Sequence, residues 1–332
     1  MNSIVSTLGY IPKKIGVFKT ASMADLPNDI FLFKSLKSSF PEATLVWISS
    51  KDSREIVKRF SGEVNEYMSC PSYAKLSSTN FSDSWFTEAM QQQKWDVIIQ
   101  IDSYDPWVNH WIELWKPKLL IGCSYGGQSQ SKDSVYLSPP ESSPRDSIQS
   151  HVLKLLDINA RKKVFEFPWT ESDKRAITQI YPELFQHLFV CIHLGDAAGK
   201  AWPICYYTMI AYLLADHGYS VVFIANESQR ANVQEICQNI KSSTFSLLRE
   251  NLTWSNLAYL LNQSSLVIGD DRDIAQLAVH LSIPDVWLRT EGQPLQNNDS
   301  YPNVLHTLNE SQPIKEVIHK IGRLLHLNQE TY

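Results

Sequence analysis

The sequence predicts an α/β protein made of two similar halves, each a parallel sheet with helices on both faces. Three observations predict it. Short apolar runs alternate with runs of helical periodicity, the grammar of βαβ units. A Ser-, Pro- and Gly-rich stretch over 124–150, SYGGQSQSKDSVYLSPPESSPRDSIQS, interrupts that alternation. Beyond it the alternation resumes more cleanly.

In the first half, KIGVFKT (14–20) reads as a strand and IFLFKSLKSSF (30–40) as the helix after it. ATLVWIS (43–49) is the second strand, followed by a short amphipathic helix, SREIVKRF (53–60). WDVIIQID (95–102) has the apolar character of a buried strand. PWVNHWIELW (106–115) reads as helix and KLLIGC (118–123) as strand. The stretch 124–150 is expected to be a long loop or interdomain segment, with a short helix, HVLKLLDI, after it. In the second half, LFVCIHLG (188–195) is a strand and PICYYTMIAYLLADHG (203–218) a helix closed by Gly218. YSVVFIAN (219–226) is a strand, and SQRANVQEICQNI (228–240) and TWSNLAYLLNQS (253–264) are helices. LVIGD (266–270) is a strand, a helix runs from Ile274 to Leu281, and DVWLR (285–289) is the last strand. IKEVIHKIGRLLHL (314–327) closes the pattern as an amphipathic helix.

The 332 residues suffice for two domains of roughly 150 residues, each with its own core. Hydrophobic residues at 43% and charged residues at 20% suit a soluble globular protein. A net charge of −5 argues against a dedicated nucleic-acid binder, which needs a basic footprint. Cys70, Cys123, Cys191, Cys205 and Cys237 are widely spaced, without a Cys-x-x-Cys pair, and read as reduced thiols of a cytosolic protein. The opening MNSIVSTLGYIPKK lacks the basic and apolar regions of a signal peptide, so none is expected. No run approaches the roughly 20 apolar residues that span a bilayer.

Open α/β sheets bind ligands at the carboxyl ends of their strands, so the candidate residues should follow the strands. After the first, KTASMADLPND supplies Lys19, Ser22 and Asp25, but neither a Gly-x-Gly-x-x-Gly nor a Walker loop. Two uses of Asp25 stay open: a helix N-cap, or, with Asp29 as the cap, a carboxylate facing a cleft between the halves. HLGDAAGKAWP has a small-residue loop, a point charge at Lys200 and Pro203 for the first turn of a helix. A phosphate suits it, and so does a plain loop with a solvated lysine. Glu227 can accept from a ribose hydroxyl or cap a helix. After LVIG come Asp270-Asp271-Arg272-Asp273, three acids around one arginine at a turn that ordinarily favours anions. Trp107, Trp111 and Trp115 fall on one helical stripe, either core or a sugar-stacking platform. Lys51, Arg54 and Lys58 form either a solvated face or an anion contact.

The order of these pieces resembles family 9 of the glycosyltransferases, the ADP-heptose:lipopolysaccharide heptosyltransferases. KIGVFKTASMADLPNDIFLFKSLKSSFPEATLVWIS is similar to that family's first strand, Ser/Gly-Met-Gly-Asp loop, helix and Phe-Pro-Asp/Glu-Ala turn. WDVIIQID resembles its Tyr-Asp-x-Val-Ile-Asp strand, and HLGDAAGKAWP its His-x-Gly…Lys-x-Trp-Pro motif. NLAYLLNQSSLVIGDDRDIAQLAVHLSIPDVWL resembles its Asp-Ser/Thr-Gly-x-x-His segment. The likeness runs in order from residue 14 to 295. It implies a GT-B architecture of two Rossmann-like domains facing across a cleft: an acceptor domain over 1–165, a nucleotide-sugar domain over 166–312, and a helix over 313–332 returning to the first domain.

By position, the resemblance implies Asp25 as catalytic base, Lys200 on the donor diphosphate, Glu227 on the ribose and Asp271 on the donor sugar, with Arg272 and Gln276 also on the donor side. Ser22, Met23, Lys51, Arg54 and Trp107 are the acceptor-side candidates. A carboxylate in the cleft can take the acceptor hydroxyl's proton, and Lys200 with helix N-termini can stabilise the departing nucleoside diphosphate without metal. The implied reaction is inverting transfer from a nucleotide-sugar co-substrate, without cofactor, to a saccharide or glycoconjugate acceptor. The implied place is the cytoplasm, with peripheral contact at the cytoplasmic face of the inner membrane left open, as is the oligomeric state.

The chain departs from the family pattern where the donor should sit. The Gly of the first loop is Ala24, the Gly and His of the donor motif are Asp273 and Gln276, and an aromatic-Gly-Pro-Thr loop reads Arg289-Thr290-Glu291-Gly292. Asp271 and Asp273 also have the spacing of a metal pair, which the family does not use. Two readings follow: Arg272 re-creates the diphosphate site with a forked pair of donors, or the protein is a silent GT-B scaffold or regulatory partner.

Overall fold

The computed structural model describes residues 3–19, 26–71, 84–101, 106–123, 134–137, 148–158, 166–195, 202–240, 244–288 and 314–327. The chain divides between Val164 and Phe165 into two compact units.

The first unit runs Ser3–Leu8 (α1), Lys14–Lys19 (β1), Leu26–Ser39 (α2), Thr44–Ser50 (β2), Arg54–Val57 (α3), Glu66–Cys70 (β3), Ser84–Gln92 (α4), Val97–Gln100 (β4), Pro106–Leu114 (α5), Leu119–Cys123 (β5), Ser134–Leu137 (β6) and Ile148–Leu155 (α6). Its six strands lie in the order β3-β2-β1-β4-β5-β6, every pair parallel. That is the strand order of a Rossmann sheet. β1 is central, and five consecutive residues, Ile15 to Lys19, are buried. On one face Phe18, Ile48, Ile98 and Leu120 pack with Phe86, Val108 and Trp115. Trp115 meets Phe18 edge-on at 5.4 Å and Phe86 at 5.7 Å, which makes it a core residue. Trp111 is partly exposed, and the side chain of Trp107 lies outside the described residues.

At the amino end of this sheet Asp96 is fully engaged. It accepts from the Tyr10 hydroxyl (2.7 Å), Lys118 Nζ (2.9 Å) and the Lys13 and Lys14 amides (2.8 and 3.1 Å). These contacts hold its carboxyl below the usual range against the opposing effect of burial, the largest single influence on it. The stretch expected as loop over 124–150 contributes β6, and α6 begins at Ile148 rather than at His151.

The second unit runs Glu171–Thr178 (α7), Phe189–Leu194 (β7), Ile204–Asp216 (α8), Ser220–Ala225 (β8), Arg230–Asn239 (α9), Thr244–Leu248 (β9), Trp254–Gln263 (α10), Leu266–Gly269 (β10), Arg272–His280 (α11), Asp285–Trp287 (β11) and Ile314–Leu324 (α12). The strand order β11-β10-β7-β8-β9 is again that of a Rossmann sheet, with β7 central. α8 ends at Asp216 and Gly218 follows with φ +80°, the left-handed stop that glycine accommodates. Val190, Ile192, Val221, Phe223, Leu266 and Ile268 form the sheet side of the core, against Tyr207, Ile210 and Leu214 of α8. Val317 and Ile321 of α12 are fully buried in the same core. Among the described residues no helix is long and apolar enough to cross a membrane.

Asp285 opens β11 at the amino end of this sheet and is 1% exposed. Neither carboxylate oxygen has a hydrogen-bond partner among the described residues. Burial raises its pKa well above the ordinary value, so the carboxyl is neutral in the fold at a pH where the unfolded chain ionises it. Its contribution therefore favours folding below about pH 4 and is lost as pH rises toward the folded pKa, at up to about 1.4 kcal/mol per pH unit. Asp285→Val should raise stability by roughly 1–3 kcal/mol at pH 7 and by less at pH 4, read by urea denaturation at both values.

Candidate functional site

The described candidates Lys51, Arg54, Glu227 and Asp271 follow the carboxyl ends of strands. In the first unit, Lys51 and Arg54 are exposed just beyond β2, in the short helical segment that follows Ser50. Ser22, Met23 and Asp25 lie outside the described residues. Their flanks do not. Lys19 ends β1 and is 2% exposed, and Asp29 is completely buried. Asp29 is inside the first turn of α2, not before it, so the expectation that it caps the helix is corrected. Its Oδ2 accepts from Lys19 Nζ at 2.5 Å, and its Oδ1 accepts from Gln149 Nε2 of α6 at 2.7 Å.

In the second unit β7 and β10 run side by side, with His193 in register with Gly269. Gly269 has φ +153°, and a Cβ there would stand 2.1 Å from the His193 carbonyl oxygen and 2.5 Å from Nδ1. Only glycine lets the strands approach this closely. Two bonds then tie the segment after β10 to β7. The Asp271 amide donates to His193 Nδ1 at 3.0 Å, and the Gly195 amide donates to Asp270 Oδ1 at 2.6 Å. Because Nδ1 accepts, the neutral ring carries its proton on Nε2, which has no partner among the described residues. Burial lowers the His193 pKa to about 3.

The acids of this turn have separate tasks. Asp270 is buried, and burial raises its pKa above its ordinary value, opposed by the Gly195 amide and the Tyr207 hydroxyl. Its charge, after burial itself, raises the pKa of the Tyr207 phenol beside it. Asp271 is the N-cap of α11, its Oδ1 accepting from the amides of Asp273 (2.8 Å) and Ile274 (3.2 Å). Asp273 lies in the first turn, where a negative charge suits the helix dipole. Gln276 is partly exposed on α11, and the side chain of Arg272 is not described. Lys200 also lies outside the described residues.

Glu227 follows β8 on the exposed surface and is gripped by Arg230 in a fork, Nε to Oε1 and Nη2 to Oε2, both at 2.7 Å. Those bonds lower the pKa of Glu227. A pocket of about 410 Å³ adjoins Arg230, lined also by Tyr181, Ser246, Leu248, Asn251 and Leu252. The residues that sequence reasoning did not assign are His193, Gly269, Tyr207 and Arg230. Of these, His193 left a signal, as the one imidazole inside the apolar run FVCIHL.

Residues 146–317 match the family model described as glycosyltransferase family 9 (heptosyltransferase). No curated protein matches by sequence. Among solved structures, the chain is similar to a family 9 glycosyl transferase from Veillonella parvula DSM 2008, with 14% identity, TM-score 0.78, and 95% of this chain and 98% of that chain covered. It is similar to the ADP-heptose lps heptosyltransferase II of E. coli, with 16% identity, TM-score 0.70, and 94% and 98% covered. A weaker likeness joins it to a UDP-GlcNAc 2-epimerase from Neisseria meningitidis, with 12% identity, TM-score 0.57, and 95% and 92% covered. These likenesses show a GT-B fold of two Rossmann-like units.

Gly269→Ala should destabilise the second unit by roughly 3 kcal/mol or more, since the obstructing atom is backbone oxygen, with loss of cooperative urea unfolding as the extreme result. His193 gives a pH signature. Its folded pKa is depressed, so its contribution is present above the unfolded pKa near 6.5 and is lost as pH falls toward about 3. His193→Asn retains an acceptor for the Asp271 amide. It should lose stability less steeply than wild type between pH 6.5 and 5, by up to about 1.4 kcal/mol per unit, in urea titrations at each pH.

Proposed function

The chain belongs to glycosyltransferase family 9, and on that premise we propose that it transfers a sugar, with inversion and without metal, from a nucleotide-sugar to a saccharide or glycoconjugate acceptor. Asp25 is the proposed base. It removes the acceptor hydroxyl's proton as that oxygen attacks the anomeric carbon from the side opposite the departing diphosphate. Ser22, Met23, Lys51, Arg54 and Trp107 are the proposed acceptor contacts.

The observation that carries the reading is the polar turn tied to β7, which lies within the stretch matched by the family model. Asp271 Oδ1 already receives two helix amides, so the end of α11 is neutralised from within. We assign Asp271 Oδ2 to a donor-sugar hydroxyl and give the diphosphate to Lys200 and Arg272, cations that can stabilise the leaving group. Glu227, oriented by Arg230, is assigned to the ribose, and the pocket beside Arg230 to the nucleobase. Gln276, on the same helix as Arg272, completes the donor-side set. The similar E. coli structure, an ADP-heptose heptosyltransferase, supports an ADP-linked donor over a UDP-linked one. The cytoplasm is the proposed place of action, at the inner-membrane face if the acceptor is lipid-linked.

Thermal shift and calorimetry with ADP, UDP and GDP test donor binding. ADP should bind, and Lys200→Ala should weaken it by about tenfold or more. Silence toward all three at millimolar concentration would overturn the donor-site reading in favour of a scaffold. In a nucleotide-sugar transfer assay, Asp25→Asn should lower kcat by about 10²- to 10⁴-fold with nucleotide affinity unchanged.

A further inference from the structure

Three neighbouring strands of the first sheet, β1, β4 and β5, are entered through lysine. Lys13 and Lys14 lead into β1, Lys94 precedes β4, and Lys116 and Lys118 precede β5. One carboxylate gathers these entries at the amino end of the sheet. Asp96 accepts from the Lys13 and Lys14 amides and from Lys118 Nζ, and the Lys118 amide donates to the Trp95 carbonyl at 3.1 Å. Lys13, Lys94, Lys116 and Lys118 are exposed. Tyr10 and Ile11 stand beside them, 38% and 65% exposed, with Lys118 Nζ 4.9 Å from the centre of the Tyr10 ring.

Two features set these lysines apart from ordinary solvated charge. Lys94 and Lys116 follow α4 and α5 with φ of 52° and 53°, a left-handed conformation that glycine adopts freely and a residue with a Cβ only at a cost. After α1 and α8 the chain uses Gly9 and Gly218 at such a turn. A cation suits a helix end and offsets part of that cost, but it does so for any helix. The second unit does not repeat the pattern. The entries to its inner strands, Gln186-His187-Leu188, His217-Gly218-Tyr219 and Gln263-Ser264-Ser265, hold neither lysine nor arginine.

We propose that the amino end of the first sheet is a docking surface for an anionic lipid bilayer. The lysines are spread over strand starts about 4.8 Å apart rather than aimed at one point, which suits a field of headgroups better than a single phosphate. Ile11 and Tyr10 supply the apolar and amphipathic side chains that enter the headgroup boundary. Protein interfaces are ordinarily depleted of lysine and enriched in arginine, whereas residues 10–14, 94–96 and 116–118 contain no arginine. The chain carries −5 overall, so its attraction to such a surface is local to this end. The proposal rests on this surface and not on the transfer reaction, since with the amino end on lipid the carboxyl ends of the parallel strands face water.

The test is sedimentation of the full-length chain with sucrose-loaded vesicles of phosphatidylcholine, alone or with about one third phosphatidylglycerol. The wild type should bind the anionic vesicles about tenfold or more tightly than the neutral ones, and should be released in about 1 M salt, where screening shortens to about 3 Å. Lys13→Gln/Lys94→Gln/Lys116→Gln should lower the partition by on the order of 10²-fold, roughly fivefold per lysine, and Ile11→Ser by about threefold. These side chains are exposed, so the thermal midpoint should stay near wild type. Arg175→Gln/Lys315→Gln/Arg323→Gln, which removes as much exposed charge from the second unit, should bind as wild type does. Failure of the wild type to sediment with anionic vesicles at low salt overturns the proposal. So does an equal loss in the two triple variants, which makes the binding a matter of net charge. Retention on immobilised poly-glutamate without vesicle binding assigns this end to an acidic protein and overturns the lipid reading as well. If the lysine triple does not fold, Lys13→Gln alone is read against the same vesicles, with about a fivefold loss expected and an unchanged partition counting against the proposal.

Discussion

The contact between the Gly269 backbone and His193 governs the carboxyl edge of the second unit. With any side chain at 269, its Cβ would stand 2.1 Å from the His193 carbonyl oxygen, so β10 would have to move away from β7. The Asp271 amide would then lose His193 Nδ1, and the Gly195 amide would lose Asp270. Those two bonds are reciprocal. One runs from the turn after β10 to β7, the other from the loop after β7 to the turn. A pair of opposed bonds resists sliding in either direction, so the start of α11 and Gly195 at the end of β7 are located by one local constraint.

That constraint explains a charge pattern which looks repulsive as sequence. Asp270-Asp271-Arg272-Asp273 places three acids where a diphosphate would be expected. Asp270 is withdrawn from the surface into contact with an amide, and burial shifts it toward its neutral form. Asp271 and Asp273 sit at the cap and first turn of α11, where the helix dipole and unpaired amides stabilise negative charge. The chain has thus supplied its own anion to a helix end that elsewhere binds phosphate. Countercharge for a diphosphate must come from side chains, which is why Lys200 and Arg272 carry the donor assignment.

How much of this could be read from sequence depends on burial. The central strands β1, β4, β7, β8 and β10 were legible because burial on both faces leaves an unbroken apolar run, as in VIIQ or SVVFIA. β3, β6 and β9 were not, and each lies at the edge of its sheet. EYMSC and TFSLL are only partly buried, so their composition resembles loop. The positions of Glu227 and Asp271 after their strands followed from the βαβ grammar. Their partners did not. Gln149 meets Asp29 across 120 residues and Asp271 meets His193 across 78, and no local pattern encodes such a pairing. Asp29 looked like a cap because the residue type suits one, whereas the fold had a nearer cation for it.

Each unit places a buried polar group near the carboxyl end of a central strand. Lys19 is the last residue of β1 and His193 the last but one of β7, and both strands are central in their sheets. A central strand is held by ladders on two sides, so its carboxyl end is the stiffest point from which to suspend a loop. A polar side chain there is costly unless the next element supplies its partner, and in both units it does: Asp29 for Lys19, the Asp271 amide for His193. The requirement for a partner is what converts burial into positional information, because only one placement of the incoming element satisfies it. Asp285 shows the contrast. It is a buried carboxyl at the amino end of an edge strand, without a partner among the described residues and at the opposite end of the sheet from the carboxyl ends of its strands. Above about pH 4 a carboxyl in that position opposes folding and locates nothing, whereas Lys19 and His193 each orient the element that follows them.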